Sequence, residues 1–291
     1  MAINQFLLID GALRQTAIKD LYANYQGLKI MPLYIGTPYH DNYDIGPILV
    51  GNLNQSHLRQ EINQYDWAIT ASIIESTQDI NTIAEHLQQF LVVDDEAGSH
   101  ALFRFADPLI TWHWLNSYGE QVHNEIMGPI TQWQVIKPIP HWQNDKTPQW
   151  QTFTKAEKSI KLTTAINFLL PPQTEALSKA NDFRFKNRLY DWLKEHKAHA
   201  FENKTEEQIS YWMDYCYEEA EVFNLISERS FAMWFELSAD YGYDFATRIE
   251  DNPYKEWFTQ NPKEKGLPTE VTIQHFYQSL IQQLSNSVTG V

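Results

Sequence analysis

Leu102-Phe103-Arg104-Phe105-Ala106-Asp107-Pro108 is the stretch on which the reading of this chain turns. Ala101–Ala106 has the apolar density of a strand. Asp107-Pro108 then starts a helix, because Asp caps the first free amides and Pro at the first helical position has no amide to satisfy. Arg104 inside such a strand needs a carboxylate, and Asp10 and Asp107 are the candidates. A competing reading makes Asp10, His86, Arg104 and Asp107 the acid, base and anion clamp of a hydrolase-like enzyme. No nucleophile or metal set accompanies them, which favours the structural reading.

Strands and helices alternate on either side of this block. Phe6-Leu7-Leu8-Ile9 reads as a buried strand closed by the turn pair Asp10-Gly11. Ile18, Leu21, Tyr22 and Tyr25 fall at helical spacing. Met31–Ile35 and Ile48–Leu53 are short strands, and Trp67–Ile74 is a further apolar run. Over Asp79–Val93, Ile80, Ile83, Ala84, Leu87, Phe90 and Leu91 share one helical face. His86 flanks that face and is expected at the edge of the core with a hydrogen-bond partner. Gly128-Pro129 closes the next helical region, and Ile130–Ile136 is expected as the last strand.

The pattern lapses after Lys137, where Pro138, Pro140 and Pro148 punctuate polar sequence. Beyond Pro171-Pro172 every signal is helical. One helix is expected from about Glu175 to His199. A second follows the capping box Thr205-Glu206-Glu207-Gln208, and a third starts at Ser227 and stops at Gly242. Short helices follow Asn252-Pro253 and Pro268-Thr269. The expected architecture is an α+β domain, a mixed sheet with covering helices, over residues 1–140. A linker or surface excursion over 141–170 and an all-α lobe over 171–291 complete it.

Net charge is −15, from 22 basic and 37 acidic residues, which argues against nucleic acid or an anionic membrane as partner. Met1–Phe6 lacks the basic and apolar regions of a signal peptide, and a cytoplasmic location is expected. Cys216 is the only cysteine and sits near Glu218, Glu219 and Glu221, which blunt a thiolate. His196 and His199, at i and i+3, are read as a solvated helix end rather than half of a metal site. Phosphate loops, a nucleophile elbow and zinc spacings are absent from the sequence, so no cofactor and no metal are expected.

Six elements in fixed order resemble the effector adaptors, or chaperones, of bacterial type VI secretion. They are Leu8-Ile9-Asp10-Gly11-Ala12, Leu33-Tyr34-Ile35-Gly36-Thr37-Pro38-Tyr39, Gly46-Pro47-Ile48-Leu49-Val50, His86-Leu87-Gln88-Gln89-Phe90-Leu91, Leu102–Pro108, and Gly128-Pro129-Ile130 before Trp133. In the C-terminal half, Gln173-Thr174-Glu175-Ala176-Leu177 and Tyr241-Gly242-Tyr243-Asp244-Phe245 are similar to runs of the family's helical lobe. The family often has Arg after the Asp-Pro pair and an aromatic before it; Leu109 and Ala106 stand there instead. The resemblance implies a non-catalytic adaptor whose partners are a cognate toxin effector and a VgrG-type spike protein.

The helix after Thr205 carries two stripes. Ile209, Trp212, Met213, Cys216, Ala220 and Phe223 are expected to face the lobe's core. Tyr211, Tyr215 and Val222, interleaved with Glu218, Glu219 and Glu221, point elsewhere: the stripe either packs under another helix of the lobe or forms the candidate partner surface.

Overall fold

A computed structural model describes residues 3–53, 56–119, 121–156, 162 and 164–289. In chain order the strands are β1 (Asn4–Asp10), β2 (Lys29–Pro32), β3 (Pro47–Gly51), β4 (Ala71–Ser76), β5 (Val92–Asp95), β6 (His100–Leu102), β7 (Gln121–Val122), β8 (Ile130–Ile136), β9 (Trp150–Lys155) and β10 (Phe168–Leu169). The α-helices are α1 (Ala17–Asn24), α2 (Leu58–Glu61), α3 (Tyr65–Ala68), α4 (Ile80–Gln88), α5 (Pro108–Asn116), α6 (Asn124–Met127), α7 (Pro171–His196), α8 (Glu206–Val222), α9 (Glu228–Tyr241), α10 (Pro253–Gln260) and α11 (Thr269–Thr289). This is an α+β fold followed by a helical region.

The chain divides into two compact units, residues 1–139 with 145–182, and residues 140–144 with 183–291. In the first, seven strands pair in the order β2-β3-β1-β4-β8-β9-β7, antiparallel except for β7 beside β9. The continuous apolar run of β1 follows from burial on both faces. Phe6 and Leu8 enter a core with α4, α5 and α6 residues such as Leu87, Trp114 and Met127. Leu7 and Ile9 enter another with Ala17 and Leu21 of α1 and Trp67 of α3. Phe90 lies 5.2 Å from Trp114 and Trp114 6.1 Å from Trp133, edge to face, so aromatic contacts tie the segment just after α4 to α5 and β8. The three-stranded sheet β10-β5-β6 joins the same unit.

Several expectations give way. The strand ends at Leu102, and Phe103–Ala106 leave the sheet through a turn closed by Asp107 N–H on the Arg104 carbonyl at 3.0 Å. Phe103 and Phe105 still enter one core, as alternate residues of a continued strand would, while Arg104 reaches Asp10 and Asp107. Strand β8 is not the last: β9 pairs outside it. In β9 only Phe153 is fully buried, and Gln151, Thr152 and Thr154 mask the strand from hydropathy.

The stretch 141–170 therefore contributes β9 and β10 to the first unit. Residues 157–161 and 163 of it lie outside the described residues. Helix α7 begins at Pro171 rather than Glu175, since a first turn has no use for the amides that two prolines lack. It ends at His196, and the division between units falls within it, after Asp182. The last helix, α11, is long rather than short.

In the second unit α7, α8, α9 and α11 bury Leu193, Met213, Trp234, Phe235 and Phe276 together. Residues 140–144 are built into this core. Trp142 packs 5.5 Å from the Tyr190 ring and donates from Nε1 to Ser210 Oγ at 2.7 Å. Asn144 donates through its backbone and side-chain nitrogens to Glu206 Oε1. Side-chain caps start the helices: Thr205 and Gln208 close a capping box on α8, and Ser227 caps α9.

Candidate functional site

The N-terminal motif residues come together as a structural cluster. Arg104 donates from its terminal nitrogen to Asp10 Oδ2 at 2.9 Å and lies 3.2 Å from Asp107 Oδ2. Its Nε reaches the same Asp10 oxygen at 3.3 Å. Both carboxylates are buried, and the Arg104 side chain is 42% exposed. The other oxygen of Asp10 accepts Leu13 N–H at 3.0 Å, and that of Asp107 accepts Leu109 N–H at 3.1 Å as the α5 cap. Each carboxylate thus does two jobs: it closes a backbone turn and holds Arg104.

The remaining motif residues shape the turns around this cluster. Gly11 N–H donates to the Gly46 carbonyl at 3.0 Å, and a Cβ on Gly11 would fall 2.6 Å from that oxygen. The Tyr34 ring lies flat against Gly46, where a side chain would overlap it. Burial, and then the charge of Asp10, push the Tyr34 phenol above its usual range. Leu33 N–H bonds to the Pro47 carbonyl, and the Thr37 hydroxyl donates to the Tyr34 carbonyl at 2.7 Å. Gly36 has φ +80° in the turn that leads to Pro38.

His86 lies elsewhere in the first unit. Its Nε2 contacts the Ile126 carbonyl at 2.8 Å, and its ring stacks edge-on against Phe90 at 5.3 Å. Gly128, before Pro129, approaches the imidazole with φ +51° and ψ −118°, and the Lys155 ammonium donates to its carbonyl. A Cβ on Gly128 would fall 2.6 Å from His86 Nε2. Gly128→Ala is expected to cost about 3 kcal/mol, combining a strained backbone with overpacking. Urea unfolding of Gly128→Ala, His86→Ala and the double variant checks this. The double variant should recover the steric part, and strict additivity would contradict the contact.

Burial pushes the imidazole of His113 down to about 4, with the charge of Lys179 adding to it, and burial lowers His86 as well. An unfolded histidine titrates near 6.5, so between that value and about 4 the unfolded chain binds a proton that the folded His113 refuses. Stability therefore falls as pH drops through this window. The melting temperature is expected to decline over that range, and His113→Phe should flatten the decline. An identical pH profile for the variant would contradict this assignment.

The other titratable candidates are occupied. Burial raises the Cys216 thiol to about 12. His196 Nδ1 contacts the Trp192 carbonyl at 2.8 Å, and His199 Nε2 the Ala239 carbonyl at 3.2 Å. Among the described residues no three His, Cys, Asp or Glu are placed to hold a metal.

The second unit presents a different surface. On α8, Ile209, Trp212, Met213, Cys216 and Ala220 are buried. Phe223, just past its end, is only partly so. Tyr211 and Val222 are 65% and 71% exposed. Tyr215 is half-buried because the Tyr243 ring meets it edge-on at 4.9 Å, while the Tyr211 ring lies 5.9 Å away on the other side. Burial raises the Tyr215 phenol, helped by the nearby charges of Glu219 and Asp244. A groove of about 580 Å³ runs beside Tyr211 and Tyr243, floored by Trp212 and bounded by Lys204, Glu207 and Gln208. Sequence reading of α8 did not include Tyr243. Its only local signal is Gly242, whose φ of +93° ends α9 and turns the chain back toward α8.

Residues 5–125 match a family model described as a domain of unknown function, DUF4123. The match covers most of the first unit before β8 and less than half of the chain. No curated protein and no solved structure matches. No helix among the described residues is long and apolar enough to cross a membrane.

Proposed function

We propose that this chain is a cytoplasmic, non-catalytic adaptor that holds a cognate type VI toxin effector and promotes its loading onto a VgrG-type spike. The observation that carries the reading is the division of labour between the motifs and the second unit. Asp10, Arg104 and Asp107 are committed to one another and to backbone turns, and His86 is committed to the Ile126 carbonyl. The hydrolase-like alternative needs these four around one concave site, and His86 instead lies against Gly128. The stripe of exposed Tyr211 and Val222 and half-buried Tyr215, with Glu218 and Glu219, is the proposed cargo surface. The family match over residues 5–125 and the motif order support the same reading.

Genetic removal tests it. Deleting the gene should abolish delivery of one toxin while secretion of the spike and of other toxins continues, and the intact gene should restore it. Unchanged delivery of every toxin would overturn the proposal.

A further inference from the structure

The occupant of the α8 face can be specified further, resting on the adaptor reading. Tyr211, Tyr215, Glu218 and Val222 follow at intervals of four, three and four, so they form one line along the helix. That line lies opposite the buried set Ile209, Met213, Cys216 and Ala220. Glu219 flanks it on one side, and Asp214 and Glu221 on the other. From Glu206 to Val222 the helix carries six carboxylates and no Lys or Arg.

Few of those charges are answered within the unit. Lys186 takes Asp214 at 2.6 Å, and Asn144 donates to Glu206. Glu218, Glu219 and Glu221 have no ion pair among the described residues. Lys204 lines the groove, but its ammonium bonds back to the Ala200 carbonyl at 2.5 Å. The exposed face therefore joins aromatic rings to uncompensated carboxylates.

We infer that this face docks a Lys- or Arg-bearing segment of the cargo protein. Guanidinium and ammonium groups are attracted to the faces of Tyr rings, and guanidinium also forks onto carboxylates. The Tyr215 ring between Tyr211 and Tyr243 supplies the platform, Glu218 and Glu219 the counter-charges, and Val222 an apolar end. Acidic segments are repelled, and so is a second copy of this chain, whose net charge is −15.

The test uses full-length protein and charge reversal. The variant E218K/E219K/E221K is compared with E195K/E250K/E256K, which reverses the same number of charges at exposed positions elsewhere in the second unit. Each is used to capture cargo from the cells that encode it, beside the parent, and melting confirms folding. E218Q/E219Q/E221Q stands in if the reversal disturbs α8. A photo-crosslinking phenylalanine analogue at position 211 identifies the contacted segment. The parent and the control should retain the toxin, the stripe reversal should weaken its binding at least roughly tenfold, and the cross-linked segment should carry Lys or Arg. Changing those cargo residues to Glu should restore binding to the reversed variant. Equal loss in both reversals would reduce the effect to overall charge and overturn the inference. Equal retention, or a cross-linked segment without basic residues, would overturn it while leaving the adaptor reading intact. A parent that captures no toxin would defeat the adaptor reading and the inference with it.

Discussion

Arg104→Ala is expected to lower the unfolding free energy by about 3 kcal/mol and to leave partner choice unchanged. The loss comes from what remains. Asp10 and Asp107 stay buried with no guanidinium between them, and each still has to hold a turn, Asp10 at Leu13 and Asp107 at the start of α5. Part of Arg104 faces solvent, which places the cost at the lower end for a broken buried pair. Arg104→Lys should recover only a fraction, because one ammonium cannot fork to both carboxylates. Urea unfolding of both variants, with cargo capture alongside, checks this. An Arg104→Ala protein as stable as the parent that no longer holds its cargo would assign Arg104 to the partner surface instead.

The double change Tyr211→Ala and Tyr215→Ala is expected to weaken cargo binding roughly a hundredfold, as loss of a pair of aromatic anchors does. Stability should change little. Tyr211 is mostly exposed, and Tyr215 loses chiefly its edge contact with Tyr243. The buried side of α8 is untouched, and its capping box remains. Binding titration and thermal melting on the same preparations separate the outcomes. Parental affinity in a folded variant would remove α8 from the cargo surface, and outright unfolding would make the stripe part of the core.

Local signals carried the fold a long way. Asp79, Asp107, Thr205, Ser227 and Asn252 each cap the helix that follows them, because a short polar side chain before an apolar period has few other uses. The long-range pairings were not legible. Phe168 pairs with Asp94 in a parallel ladder, and Trp142 seats against Tyr190 across a stretch that reads as a linker. Neither leaves a periodic trace. The exit of Phe103 from its strand is likewise set by tertiary demands, the α5 cap and the Asp10 partner of Arg104, which outweigh the strand propensity of Phe-Arg-Phe. On α8 the two stripes were legible from spacing alone, since burial on one side of a helix dictates exposure on the other. Tyr243 was not, because its approach to Tyr215 depends on the backbone reversal at Gly242.

The central claim is that this chain holds one protein toxin on its second unit without turning anything over. Affinity capture of the full-length tagged protein from the cells that encode it, with identification of what it retains, tests that claim most directly. The account predicts a single toxin effector as the dominant partner, a VgrG-type spike protein recovered with it, and loss of the toxin in the Tyr211→Ala and Tyr215→Ala variant. Recovery of neither protein by the folded parent would contradict it.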